Sequence, residues 1–170
     1  MYEQLPSLGV VIGMSFDELE SKIGWTFANR NLLTEAFTHG SVRGKTQSKN
    51  SETYRRLEFL GDAVLRLAVS ESVFRDSEGN VEKLHDTREK FISNHSLAGA
   101  AEELSLSNYL RGSGSGDVMT SQLVLAQLYE SLTGAIFVDR GYETASKFVE
   151  ETLTHERPGR TLERRHPRDS

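Results

Sequence analysis

The 170-residue chain contains no cysteine. That excludes disulfides, zinc–thiolate centres and a cysteine nucleophile, and it fits a reduced, cytoplasmic setting. No apolar run approaches the length of a membrane span, and the first residues lack the basic stretch and apolar core of a secretory signal. The chain also lacks any convincing strand pattern and any internal repeat. Positive charge is in deficit: 20 Lys and Arg stand against 25 Asp and Glu, a net charge of -5. Tight indiscriminate nucleic-acid binding rests on cations that neutralise phosphates, so this balance argues against it. It leaves open an RNA substrate met by a local patch. What remains is an ordinary charged fraction, 26%, and a somewhat low apolar one, 36%, with enough length for one domain and a real core.

Residues 1–13 read as a flexible leader and 14–154 as the domain. Residues 155–170, with Arg157, Arg160, Arg164, Arg165 and Arg168, read as a basic disordered tail. Ser15 caps a short helix that runs through Ile23 and stops at Gly24; Asn29 caps a second with Leu32, Leu33, Ala36 and Phe37 at helical spacing. Residues 40–53 form a Gly/Ser/Thr-rich loop whose Arg43, Lys45 and Lys49 are candidates for phosphate contact. The strongest helix spans Tyr54 to about Arg75, with Leu57, Leu60, Val64 and Leu67 as its apolar stripe. After a turn at 77–80 the pattern predicts one long helix from Val81 to Glu103 and a short one over 104–110. A flexible loop at 112–116 follows, then a helix from Thr120 to Val138, a break at Gly141 and a last helix over 142–153. The class is all-α.

Two carboxylates stand out. Glu58 and Asp62 lie one helical turn apart in the run Arg56–Leu65, so both fall on one face of an otherwise apolar helix. Acids on such a helix are costly unless paired or bound to a cation, and two hard oxygen donors suit magnesium. A second reading stands beside this one: Arg55, Glu58, Asp62 and Arg66 also share a stripe, as a surface salt-bridge ladder would. Glu130 repeats the theme in the run Gln127–Ala135, and Gly134, four residues on, leaves room for another helix to approach. Packed together, the two helices bring Glu58, Asp62 and Glu130 into one acidic cluster, and a divalent cation relieves their repulsion.

These segments resemble the ribonuclease III family across residues 15–153. Arg56-Leu57-Glu58-Phe59-Leu60-Gly61-Asp62-Ala63-Val64-Leu65 is similar to the family's signature helix. The runs Ala36–Ser41, Ile92–Ala98 and Glu130–Asp139 follow the family's order. The resemblance implies an all-α dimeric endonuclease domain that hydrolyses double-stranded or structured RNA, not DNA, with Mg²⁺ or, as a substitute, Mn²⁺. The products would carry 5′-phosphate and 3′-hydroxyl ends. It implies Glu58, Asp62 and Glu130 as catalytic metal ligands, Gln127 as a neutral fourth position, and Glu78 as a secondary acidic residue. It makes Phe59 a dimer contact that inserts into the partner subunit.

Two positions depart from the family pattern. Gln127 stands where an acid is usual, and Arg55 stands where Glu is usual. An amide oxygen can ligate Mg²⁺ but brings no charge, and Arg55 shares the face of Glu58 and Asp62. The chain also ends too soon after Leu153 for the double-stranded-RNA-binding domain of the classical enzyme, so it resembles a stand-alone form. These departures motivate a rival expectation: a non-catalytic RNA-binding or scaffold subunit, in a ribosome-like particle or paired in a heterodimer with an active relative.

Overall fold

The computed structural model describes residues 15–39, 54–112 and 120–154. The leader at 1–13, the loop with Arg43, Lys45 and Lys49, and the tail at 155–170 lie outside the described residues. Seven α-helices are described: α1 (Phe16–Ile23), α2 (Asn31–Ala36), α3 (Tyr54–Asp76), α4 (Val81–Phe91), α5 (Asn94–Glu103), α6 (Gln122–Arg140) and α7 (Tyr142–Val149). A 3₁₀ turn at Leu106–Tyr109 precedes α6, and a π-helical turn at Glu150–Thr154 follows α7. Among the described residues the only strand-like pairing is an isolated bridge between Thr38 and Arg111. No helix there is long and apolar enough to cross a membrane.

The helix ends follow local chemistry. The Ser15 hydroxyl accepts from Asp17 N at the start of α1, and Gly24 ends that helix with φ 85°, a left-handed conformation that Gly adopts without penalty. The expected single helix over Val81–Glu103 is in fact two. Ser93 takes an extended backbone (ψ 146°), and its hydroxyl accepts from Ser96 N at 3.2 Å, so it starts α5 while α4 stops at Phe91. The apolar spacing is continuous across this break, and only the capping chemistry of Ser93 reveals it.

α6 is the axis of the fold. It is buried nearly all round and packs against α2, α3, α5 and α7. α3 crosses it along its length, with Leu57, Val64, Leu65, Ala68 and Val69 in the core. The expected stripe on α3 is partly wrong: Leu67 is 56% exposed and Leu60 only half-buried. The buried face turns through Leu65 and Val69, because α6 covers a side of α3 next to the one the spacing suggests.

Two carboxylates strap the loop between α1 and α2 onto this core. Glu20 accepts from Phe27 N at 2.8 Å and pairs with Arg30. Asp139, near the end of α6, accepts from Ala28 N and Asn29 N at 2.9 Å each. They satisfy backbone donors that would otherwise be stranded at the start of α2.

Candidate active site

The crossing of α3 and α6 is closer than ordinary helix packing permits. A Cβ on Gly61 would stand 1.8 Å from the Glu130 carbonyl oxygen, and one on Gly134 would stand 2.2 Å from the Leu57 carbonyl oxygen. The two glycines form a reciprocal notch that seats each backbone against the other. Glu58 and Asp62 flank Gly61 on α3, and Glu130 precedes Gly134 by one turn on α6. The notch therefore sets the first two carboxylates against the third.

The electrostatics record that apposition. Burial, with the charges of Asp62 and Glu58, pushes the Glu130 carboxyl up to about 7, against the pull of Arg66 and Arg55. Burial also raises the Glu58 carboxyl; Arg55 opposes the shift and Asp62 adds to it. Two arginines of α3 balance the acids. Arg55 Nη1 lies 3.1 Å from Glu58 Oε1 and 3.0 Å from Oε2, and Arg66 Nε lies 2.9 Å from Asp62 Oδ1. The sequence ladder is therefore real, but its acidic middle lies beside Glu130, with Glu58 mostly buried and Asp62 half-exposed.

Arg55 is aligned for a hydrogen bond only at Oε1, and Glu58 Oε2 is buried without a hydrogen-bond partner. A buried carboxylate oxygen with no hydrogen-bond donor, three carboxyls that repel one another and an all-oxygen donor set fit a hard divalent cation. The side chains are not a finished ligand shell: among the described residues no three His, Cys, Asp or Glu side chains are arranged to hold an ion as they stand. The cluster is acidic, and two arginines partly neutralise it.

The other expected residues are placed as follows. Gln127 lies one turn before Glu130, and its Oε1 accepts from the Tyr54 hydroxyl at 3.0 Å. Glu78 is exposed in the turn after α3, two residues beyond the helix end, which puts it about 20 Å along the helix from Asp62. The structure does not bring it to the cluster. Phe59, next to Glu58, is 84% exposed. Sequence reasoning misses Tyr54, which touches Gln127 directly. Its spacing is the signal: Tyr54, Glu58 and Asp62 recur every four residues on one face.

The protein-family model described as Ribonuclease-III-like matches residues 29–156. The chain belongs to the ribonuclease-III-like family. This ribonuclease-III-like chain is 39% identical over 146 residues to Ribonuclease 3 of Halalkalibacterium halodurans, which covers 81% of the chain and 54% of that protein. It is 38% identical over 146 residues to Ribonuclease 3 of Geobacillus kaustophilus, covering 81% of the chain and 58% of that protein. The chain thus spans little more than half the length of these relatives. Its fold matches a solved nuclease domain of ribonuclease III from Campylobacter jejuni, in which a region involved in dimer formation is structurally flexible. That match has a TM-score of 0.71 at 28% identity and covers 82% of this chain and 99% of that one.

Proposed function

We propose that residues 14–154 are the nuclease unit of a dimeric, divalent-metal-dependent endoribonuclease that hydrolyses phosphodiester bonds in double-stranded or structured RNA, leaving 5′-phosphate and 3′-hydroxyl ends. The observation that carries this reading is the set of three carboxylates held face to face by the Gly61–Gly134 notch, in a chain of this family. Glu58, Asp62 and Glu130 would hold the cation, Mg²⁺ or Mn²⁺. When bound, the ion supplies activation of water and stabilisation of charge on the phosphate. Glu58 contributes a buried oxygen that no hydrogen-bond donor satisfies, and Asp62 contributes a half-exposed carboxylate. Glu130 offers a carboxyl that gives up its proton near neutral pH as a cation arrives. Phe59 is the candidate contact with a second copy.

The scaffold reading is favoured by one observation, the pairing of Glu58 with Arg55 and of Asp62 with Arg66, which partly cancels the charge a cation needs. Cleavage of a labelled long double-stranded RNA at low salt separates the two. With Mg²⁺ or Mn²⁺ the nuclease reading expects cutting that stops in EDTA and falls at least about 100-fold in Asp62→Asn with the fold intact. A folded protein that binds RNA and cuts under no condition belongs to the scaffold reading.

A further inference from the structure

Gln127 is tied into a short network that gives it a different task from the acid it replaces. The Tyr54 hydroxyl donates its single proton to Gln127 Oε1 at 3.0 Å. That polarity fixes the amide. Oε1 faces Tyr54, and Nε2 faces away with no hydrogen-bond partner among the described residues. Tyr54 is itself held on two sides. Its ring stacks on His39 at 5.6 Å between centroids, and its carbonyl accepts from the buried Ser131 hydroxyl of α6 at 3.2 Å. Gln127 is partly exposed and lies one turn before Glu130, so its N–H donors, unpaired among the described residues, lie beside the acidic cluster.

An amide whose oxygen is taken and whose open end carries N–H groups repels a cation and attracts an anion. The anion that approaches this cluster, if the nuclease reading is right, is the phosphodiester of the RNA backbone. We propose that Gln127 donates from Nε2 to a non-bridging phosphate oxygen of the RNA, held in that orientation by Tyr54, and that Glu58, Asp62 and Glu130 bind the divalent cation without it. Tyr54 is then a positioning residue.

The test separates cation binding from RNA binding. Mn²⁺ is titrated calorimetrically into the wild-type protein, Gln127→Ala and Asp62→Asn. Binding of a short double-stranded RNA is followed by fluorescence anisotropy in Ca²⁺, which polarises water less than Mg²⁺ and so slows cutting. The same assay is run on Gln127→Ala, Tyr54→Phe and the double variant. The proposal expects Gln127→Ala to leave the Mn²⁺ dissociation constant within about twofold while weakening RNA binding about fivefold, the size of one lost hydrogen bond. Tyr54→Phe keeps the stacked ring and removes only the hydroxyl. It weakens RNA binding about two- to fivefold alone and adds nothing in the Gln127→Ala background. Loss of Mn²⁺ affinity in Gln127→Ala as large as in Asp62→Asn, unchanged RNA affinity, or additive effects of the two substitutions would each overturn it while leaving the nuclease reading standing. A wild-type protein that binds neither Mn²⁺ nor RNA overturns both.

Discussion

At the scale of single residues, Glu130 carries the most stored electrostatic cost. Its carboxyl titrates at about 7 in the folded chain, against 4.5 for an ordinary Glu. A carboxyl raised on folding favours the folded state while it is protonated. That contribution is complete below about pH 4.5 and is lost as the pH climbs through 7. In EDTA, the wild-type protein should therefore lose stability across that window, by about 1–2 kcal/mol once partial exposure is discounted. Glu130→Gln keeps the shape and removes the charge. Urea denaturation at pH 5 and pH 8 should show its midpoint nearly level where that of the wild type falls. An unchanged slope in the variant would place the cost elsewhere. Asp139 shows the opposite use of a buried acid. Its side chain is 2% exposed and accepts from two backbone N–H groups, with Arg140 Nε 3.1 Å away. Asp139→Asn should cost about 2–3 kcal/mol in the same denaturation assay, because one of the two amide donors loses its acceptor.

At the scale of elements, the α3–α6 notch decides both packing and chemistry. Gly134→Ala places a methyl 2.2 Å from a backbone carbonyl, and no side-chain rotation can relieve that. The helices must part, so the variant should lose about 3 kcal/mol or more, or fail to fold, by circular dichroism and thermal melting. Gly24→Ala removes a glycine from open space with only a positive φ to strain it, and should cost about 1 kcal/mol. A Gly134→Ala protein as stable as Gly24→Ala would contradict the close crossing. The role of Gly134 was legible in the sequence, because a glycine inside an apolar helix costs helical stability and is kept where a neighbouring backbone comes close. Gly61, its counterpart, was legible only as part of a family motif. The boundary at Ser93 was hidden, since the apolar spacing of α4 runs on into α5 and a lone serine caps no more loudly than it decorates a surface. The exposure of Leu67 was hidden too: spacing gives a stripe, but which side of α3 the neighbour covers depends on α6. Tyr54 shows the same limit at the site, where four-residue spacing marked its face but not the amide it would meet.

At the scale of the whole molecule, the open question is what covers the bare side of α3. Phe59, Leu67 and Phe74, spaced eight and seven residues apart, are 84%, 56% and 76% exposed, and Val81 at the start of α4 is 69% exposed. Leu67, Phe74, Val81 and Leu84 line a groove beside this side of the helix. Large apolar side chains in such a row mark an interface more often than they decorate a monomer. A second copy is the occupant that the family resemblance implies, with Phe59 as the inserted residue. A symmetric pair uses the same patch twice, so one substitution removes two contacts. Replacing a centrally buried Phe by Ala costs about 2 kcal/mol per contact, so Phe59→Ala should weaken the dimer roughly 10³-fold. Because Phe59 is exposed in the single chain, the monomer should keep its helical content and its melting temperature at a concentration where no dimer forms. Sedimentation over a range of concentrations reads the first effect and circular dichroism the second. A dimer of unchanged strength in Phe59→Ala would remove Phe59 from the interface. A wild-type chain that stays monomeric at high concentration would leave the bare side of α3 to a different partner chain.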